Sequence, residues 1–350
     1  MADDMIDSTG FVDAVESLPE QVAAAQQTAA DLDLSAVANA EHRSVLVLGM
    51  GGSGIAGDML RAVAGAVSPL PIAVSKGYSV PRYVDGSTLV IASSYSGDTE
   101  ETLSAATQAV ENGARIVAIT TGGALGALAQ ASGGVVVPCP TGLFPRAAVG
   151  ALSVPIFSVM EQLGYADDMT PAIDAAQQQL AQRRDALARS ADATKNEARR
   201  LARRIGRTFP LVYGGDEIGA VAAMRWKADV NENAKAPAFW NTLPELDHNE
   251  IMGWGQHGDV TRQVVSLIEL RHDFEHLRTS RRIALTTDII RETVGQVLSV
   301  RADGEGPLAQ LMDLMYIGDW VSVYMAADAG VDPGPIDAIA RLKYQLSKER

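Results

Sequence analysis

The sequence predicts an α/β chain built as two doubly wound parallel-sheet units of flavodoxin-like type, joined by a helical connection. Short apolar runs alternate with helical patterns from Ser44 to Pro138, the signature of a parallel sheet covered on both faces. The alternation then gives way to a polar helical stretch from Pro171 to Arg207, with no glycine before Gly206. Finally the pattern restarts. The turn in LVLGMGGSGIAG, at Leu46, is echoed by PLVYGGDEIGA, at Pro210, as a weak internal repeat. The first unit, with a leading helix, is expected over 1–155, the connection over 156–207 and the second unit over 208–350.

Residues 11–40 are rich in alanine and glutamine and predict helix, with a break near Pro19. The first strand, Val45 to Leu48, runs into a glycine cluster, and helix follows from Ile55 to Val67. PIAVSK, from Pro71, is the second strand and STLVIASS, from Ser87, the third. A helix over Leu103 to Asn112 leads to ARIVAIT, from Ala114, and then GGVVVP, from Gly133. In the second unit FPLVYGG precedes a helix, and VVSLIEL and VGQVLSV supply further strands. PLAQLMDLMYIGDWVSVYMAADAG and IDAIARLKYQL are helical, the latter following Pro335, which is well placed at a helix start.

The chain has 350 residues and a formal net charge of −14, which excludes nucleic-acid binding through a general basic field. The arginine-rich run Arg199 to Arg207 is too short to reverse that. An anionic substrate must be drawn by local features: helix N-termini and a few placed cations. The lone cysteine, Cys139, excludes an internal disulfide and reads as a small buried residue. No apolar run reaches spanning length, so no membrane association is expected. The acidic start MADDMIDSTG lacks the features of a signal peptide, so the cytoplasm is expected. His272 and His276 have the four-residue spacing of a helical zinc site, but no third ligand motif accompanies them. A solvated helix face is the expectation, and no metal site is assigned.

Chemistry concentrates in the first unit. Gly49, Gly51 and Gly54 match G-x-G-x-x-G between a strand and a helix, the context of a dinucleotide site. The second strand nevertheless ends without the acidic residue that would hold a ribose. Ser75 and Lys76 leave NADP as an alternative. The third strand ends in SSYSGDTEET, where Ser94, Ser96 and Thr99 gather hydroxyls at the start of a helix. That is the chemistry of a phosphate cradle without lysine. Helix capping would need only one such group.

Together these two stretches resemble the sugar isomerase (SIS) domain. NENAKAPAFWNTLPELDHNEIMGW (Asn231 to Trp254), PRAAVG (Pro145 to Gly150) and IDAIARLK (Ile336 to Lys343) extend the likeness. Nearly the whole chain is similar, in the same order, to the bifunctional phosphoglucose/phosphomannose isomerases of archaea and bacteria. The resemblance implies a cofactor-free homodimer with shared active sites. Such an enzyme interconverts glucose 6-phosphate, and mannose 6-phosphate, with fructose 6-phosphate. It places the catalytic base on Glu232, the ring-opening histidine on His248, the cation on Arg146 and a further lysine on Lys343. Phosphate binding falls on Ser53, Ser94, Ser96 and Thr99, with the amides of Gly51 and Gly52. A tryptophan in the preceding helix is expected to shield Glu232 and raise its pKa. Two departures stand out. Asp98 replaces the family's asparagine in SGNTEET and is expected to cap the following helix, pointing away from phosphate. No threonine occurs in DPGPIDAIARLK, where family members that accept both epimers carry one.

Overall fold

The computed structural model describes residues 5–348. The N-terminal segment forms α1 (Phe11–Glu16), α2 (Leu18–Ala30) and α3 (Ser35–Ala38). The first unit follows as β1 (Ser44–Leu48), α4 (Gly51–Ala64), β2 (Ile72–Ser75), β3 (Thr88–Ser93), α5 (Glu100–Glu111), β4 (Arg115–Thr120), α6 (Gly123–Ala131) and β5 (Val135–Pro138). Its sheet is wholly parallel, in the order β2-β1-β3-β4-β5. β3 is buried at every position, which is why it reads as an unbroken apolar run. Cys139 lies just beyond β5, buried, and loss of water pushes its thiol up to about 12.

A short turn at Pro145–Ala147 leads to α7 (Val149–Gln162), α8 (Thr170–Leu187) and α9 (Glu197–Ile205). Residue 155 lies inside α7, whose length packs on α2. The polar helical stretch is therefore two helices. α8 buries a single stripe of Ile173, Ala176, Leu180 and Leu187. Arg199, from the basic run, is buried with its guanidinium 4.5 Å from the centre of the Tyr324 ring.

The second unit comprises β6 (Phe209–Gly215), α10 (Asp216–Asn233), β7 (Phe239–Leu243), α11 (Gly258–Val264), β8 (Val265–Arg271), α12 (Leu277–Ile290), β9 (Gln296–Arg301), α13 (Gly306–Asp328) and α14 (Asp337–Leu346). Its parallel order, β7-β6-β8-β9, repeats the first four positions of the first sheet. The repeat extends to atomic register. A β-carbon on Gly54 would stand 2.6 Å from the Gly49 carbonyl oxygen, and one on Gly214 would stand 1.9 Å from that of Gly219. Gly51 and Asp216, two residues after the first glycine of each pair, have φ of +50° and +51°.

α13 is apolar around its circumference and buried almost throughout, the pattern of a central core helix. Trp226 of α10 donates from Nε1 to the Leu314 carbonyl (2.7 Å), and a β-carbon on Gly318 would meet its indole at 2.4 Å. Gly318→Ala should cost about 1–3 kcal/mol in chemical denaturation despite its better helix propensity. An unchanged midpoint would contradict this close packing.

Candidate active site

α4 and α10 pack antiparallel, with Arg61 near the end of α4 paired to Glu217 near the start of α10 (3.2 Å). Counting back along both helices at about 1.5 Å per residue puts Glu232 roughly 7 Å beyond Gly51. The last turn of α10 thus overhangs the first turn of α4, where the amides of Gly51 and Gly52 have no acceptor within the helix. Ser53 is buried, and its Oγ accepts from the Tyr95 amide (3.2 Å), tying the glycine turn to the hydroxyl loop. In that loop the Ser94 and Thr99 hydroxyls are 2.9 Å apart, and Ser94 Oγ also accepts from the Gly97 amide (3.2 Å). Ser96 is exposed, with Oγ accepting from the Asp98 amide (3.2 Å).

Asp98 points away from this cradle, but it caps a different helix from the one expected. Its Oδ1 accepts from the Ala124 amide (2.9 Å), in the first turn of α6. Asp98→Ala should cost about 1 kcal/mol of stability. KM for a sugar phosphate should stay within about twofold, since the cap lies outside the cradle. A large KM change with unaltered stability would place Asp98 at the ligand instead.

The second unit has the same backbone turn with different side chains. Asp216 stands where the first unit has Gly51, and its carboxylate accepts from the His276 amide (2.7 Å) and the Thr279 hydroxyl (2.8 Å). Ile218 replaces Ser53 in register. The glycine turn of the first unit is also poorly made for NADP, because Lys76 is engaged in an ion pair with Asp58.

Arg146 lies beside the cradle. A β-carbon on Gly52 would stand 2.7 Å from the Arg146 Cα, so only glycine lets the loop settle on this turn. The Arg146 side chain is 3% exposed, with its guanidinium 4.2 Å from the centre of the Phe11 ring. Nε donates to Asn233 Oδ1 (2.8 Å), and Nη2 donates to the carbonyls of Pro333 and Gly334 (2.7 Å each). Burial lowers its pKa, opposed chiefly by the charge of Glu232 nearby, and a guanidinium stays protonated regardless.

Glu232 lines a cavity of about 590 Å³ with Asn231, Lys235, Asp332, Ile336 and Ile339. The tryptophan expected to shield it does not. Trp226 packs into α13, and six residues put it about 240° round the helix from Glu232. Lys235, held at φ +56°, instead donates to the Glu232 carbonyl and to that of Pro333 (3.1 Å). Lys343 is solvent-exposed on α14, but it continues the face of Ile336 and Ile339, about one turn beyond the cavity rim.

His248 does not join this group within the chain. It is exposed in the turn Glu245–His248, after the C-terminal end of β7. Its loop is fastened to α12 through Asp247, which accepts from Arg282 (2.9 Å) and Thr286 (2.6 Å). Glu232 ends an 18-residue helix that runs back from the other end of the sheet, a span of roughly 25 Å. His272 and His276 share no helix face. His272 is buried after β8 with Nε2 3.1 Å from the Gly215 carbonyl oxygen, and His276 caps α12 through Nδ1. Among the described residues no group of three His, Cys, Asp or Glu side chains is placed to hold a metal. No helix among them is long and apolar enough to cross a membrane.

Sequence reading missed the buried polar group under Arg146. Arg225 pairs with Asp229 (2.7 Å) and Asp319 (2.9 Å), all three buried. Burial, opposed by Arg225 and reinforced by the charges of Asp319 and Glu232, holds the Asp229 carboxyl well above the usual carboxylate range. Charged residues on an otherwise apolar helix face were the available signal.

Two wholly parallel-sheet units of matching strand order, the first with a glycine turn and a hydroxyl loop at its strand ends, are the architecture of the SIS type. The SIS domain matches residues 40–132, and the bacterial phospho-glucose isomerase C-terminal SIS domain matches residues 194–346. The chain is 37% identical to a bifunctional phosphoglucose/phosphomannose isomerase of Caldicellulosiruptor bescii, over 96% of this chain and 98% of that one. It is 32% identical to one of Aquifex aeolicus, over 88% and 91%. The C-terminal domain of glucosamine-fructose-6-phosphate aminotransferase from Francisella tularensis shares the fold, with a TM-score of 0.71 at 13% identity, over 93% of this chain and 98% of that one. The chain belongs to the bifunctional phosphoglucose/phosphomannose isomerase family.

Proposed function

We propose that the protein interconverts glucose 6-phosphate and mannose 6-phosphate with fructose 6-phosphate by proton transfer through an enediolate. The observation that carries this reading is the placement of Glu232 and Arg146 beside the cradle at the N-terminus of α4. A phosphate there would accept from the Gly51 and Gly52 amides and the hydroxyls of Ser53, Ser94, Ser96 and Thr99, aided by the helix dipole. The sugar would extend toward Glu232, the roughly 7 Å overhang giving room for the carbons between phosphate and C2. Glu232 then takes the proton from C2 of the aldose and returns it to C1. Arg146 stabilises the oxygen on which charge develops.

Ring opening is assigned to His248 and Lys343, with His248 supplied by a second copy of the chain. Its remoteness from Glu232 within one chain supports that arrangement. So does α14, whose apolar side chains Leu342, Tyr344 and Leu346 are 60%, 58% and 44% exposed. A homodimer with shared sites, working in the cytoplasm without a cofactor, follows from this reading.

The test is a coupled assay of the purified protein with glucose 6-phosphate and mannose 6-phosphate, with and without EDTA. Fructose 6-phosphate should form from both, at a rate that chelator leaves unchanged. Turnover of neither sugar phosphate would overturn the proposal.

A further inference from the structure

Arg146 is held at both ends by a closed ring of buried hydrogen bonds. Its Nε donates to Asn233 Oδ1 (2.8 Å), Asn233 Nδ2 donates to Ser322 Oγ (2.9 Å), and Ser322 Oγ donates to the Asp319 carbonyl (2.6 Å). The Asp319 carboxylate accepts from Arg225 Nη2 (2.9 Å), and the same Nη2 donates to the Arg146 main-chain carbonyl. The ring joins the turn Pro145–Ala147, α10 and α13, which do not adjoin in sequence. Each side chain in it is nearly inaccessible: Arg225 3%, Asn233 1%, Ser322 0% and Asp319 6%. Buried ion pairs contribute little to stability compared with apolar packing, so stability alone is a weak reason for this network.

The ring leaves Nη1 of Arg146 without a hydrogen-bond partner among the described residues, while Nε and Nη2 are saturated. Its bond to the backbone is at the Arg146 carbonyl, one peptide beyond the Pro145–Arg146 unit on which Gly52 rests. We propose that Arg225 and Asn233 are positioning residues for the isomerisation, holding Arg146 by its backbone and its side chain so that one guanidinium edge faces the reacting oxygens. The inference rests on the role of Arg146 proposed above.

The experiment compares Arg225→Lys, Asn233→Ala, Arg146→Ala and the double variants of each with Arg146→Ala, in the full-length protein. Lysine at 225 keeps the charge opposite Asp229 and Asp319 but cannot reproduce the fork that reaches the Arg146 carbonyl. Each positioning variant should lower kcat by about 10- to 100-fold, with KM for fructose 6-phosphate within about threefold, at temperatures where circular dichroism shows it folded. Each double variant should be no slower than Arg146→Ala alone, because the positioning residues act only through that side chain. A kcat within about twofold of the parent for both single variants would overturn the proposal, as would losses that multiply with that of Arg146→Ala. An Arg146→Ala protein of undiminished kcat would instead overturn the role of Arg146 itself. If Arg225→Lys fails to fold, the Asn233→Ala cycle decides between the same outcomes.

Discussion

Glu232→Gln should lower kcat by about 10²- to 10⁴-fold while KM for fructose 6-phosphate stays within about threefold. Glutamine matches glutamate in shape but cannot take a proton from carbon. The Glu232 side chain lines the cavity, and its main-chain carbonyl, not its carboxylate, accepts from Lys235. The fold should therefore be unaffected, and phosphate binding should persist because the cradle belongs to the other unit. Steady-state kinetics beside a thermal melt would check both points. A variant retaining more than about a tenth of parental kcat would mean that another group removes the proton.

Arg146→Ala should act on both chemistry and structure. Loss of the cation proposed to face the developing oxyanion should cost about 10²- to 10³-fold in kcat. The deletion also strips donors from Asn233 Oδ1 and from the carbonyls of Pro333 and Gly334, of which Pro333 keeps a second donor in Lys235 while Asn233 Oδ1 and Gly334 are left unpaired. Buried acceptors left unpaired cost about 1–3 kcal/mol each, so the melting temperature should fall, unlike that of Glu232→Gln. The two carbonyls belong to the turn that leads into α14, so limited proteolysis should cut near residue 335 faster than in the parent. Unchanged stability would show that the turn is held by other contacts.

The parallel strands were legible because burial on both faces writes them as unbroken apolar runs. β1, β3 and β4 lie within one residue of the expected spans. α7 and β7 escaped for opposite reasons. α7 is apolar all round and carries Pro155, so it shows no helical stripe. β7 is a five-residue edge strand, largely exposed, whose FWNTL lacks a buried run. α4 begins at Gly51 rather than Ile55 because the glycines form the helix's first turn instead of a loop before it.

At the candidate site, the residues legible in sequence were those whose chemistry is local: the glycine turn and the hydroxyl loop. Each is a short stretch at a strand end. Glu232 and Arg146 are single polar residues: the antiparallel contact of α4 with α10 brings the first toward the cradle, and the packing of the Pro145–Ala147 turn on Gly52 brings the second. Resemblance named them; composition and periodicity could not. The ring of Arg225, Asn233, Ser322 and Asp319 needed three distant elements to close, and no spacing within one element encodes that. Asp98 shows the same limit on a smaller scale: its sequence neighbours pointed to α5, whereas its carboxylate reaches across to α6.

The most direct test of the central claim is the isomerisation of fructose 6-phosphate in deuterium oxide, with the glucose 6-phosphate formed examined by proton magnetic resonance. A carboxylate that carries the proton between C1 and C2 exchanges it with solvent during some turnovers. Deuterium should therefore appear at C2 of the product with the parent protein, and product should be nearly absent with Glu232→Gln. Rapid product formation by Glu232→Gln, with deuterium incorporated as in the parent, would contradict the assignment of proton transfer to this residue.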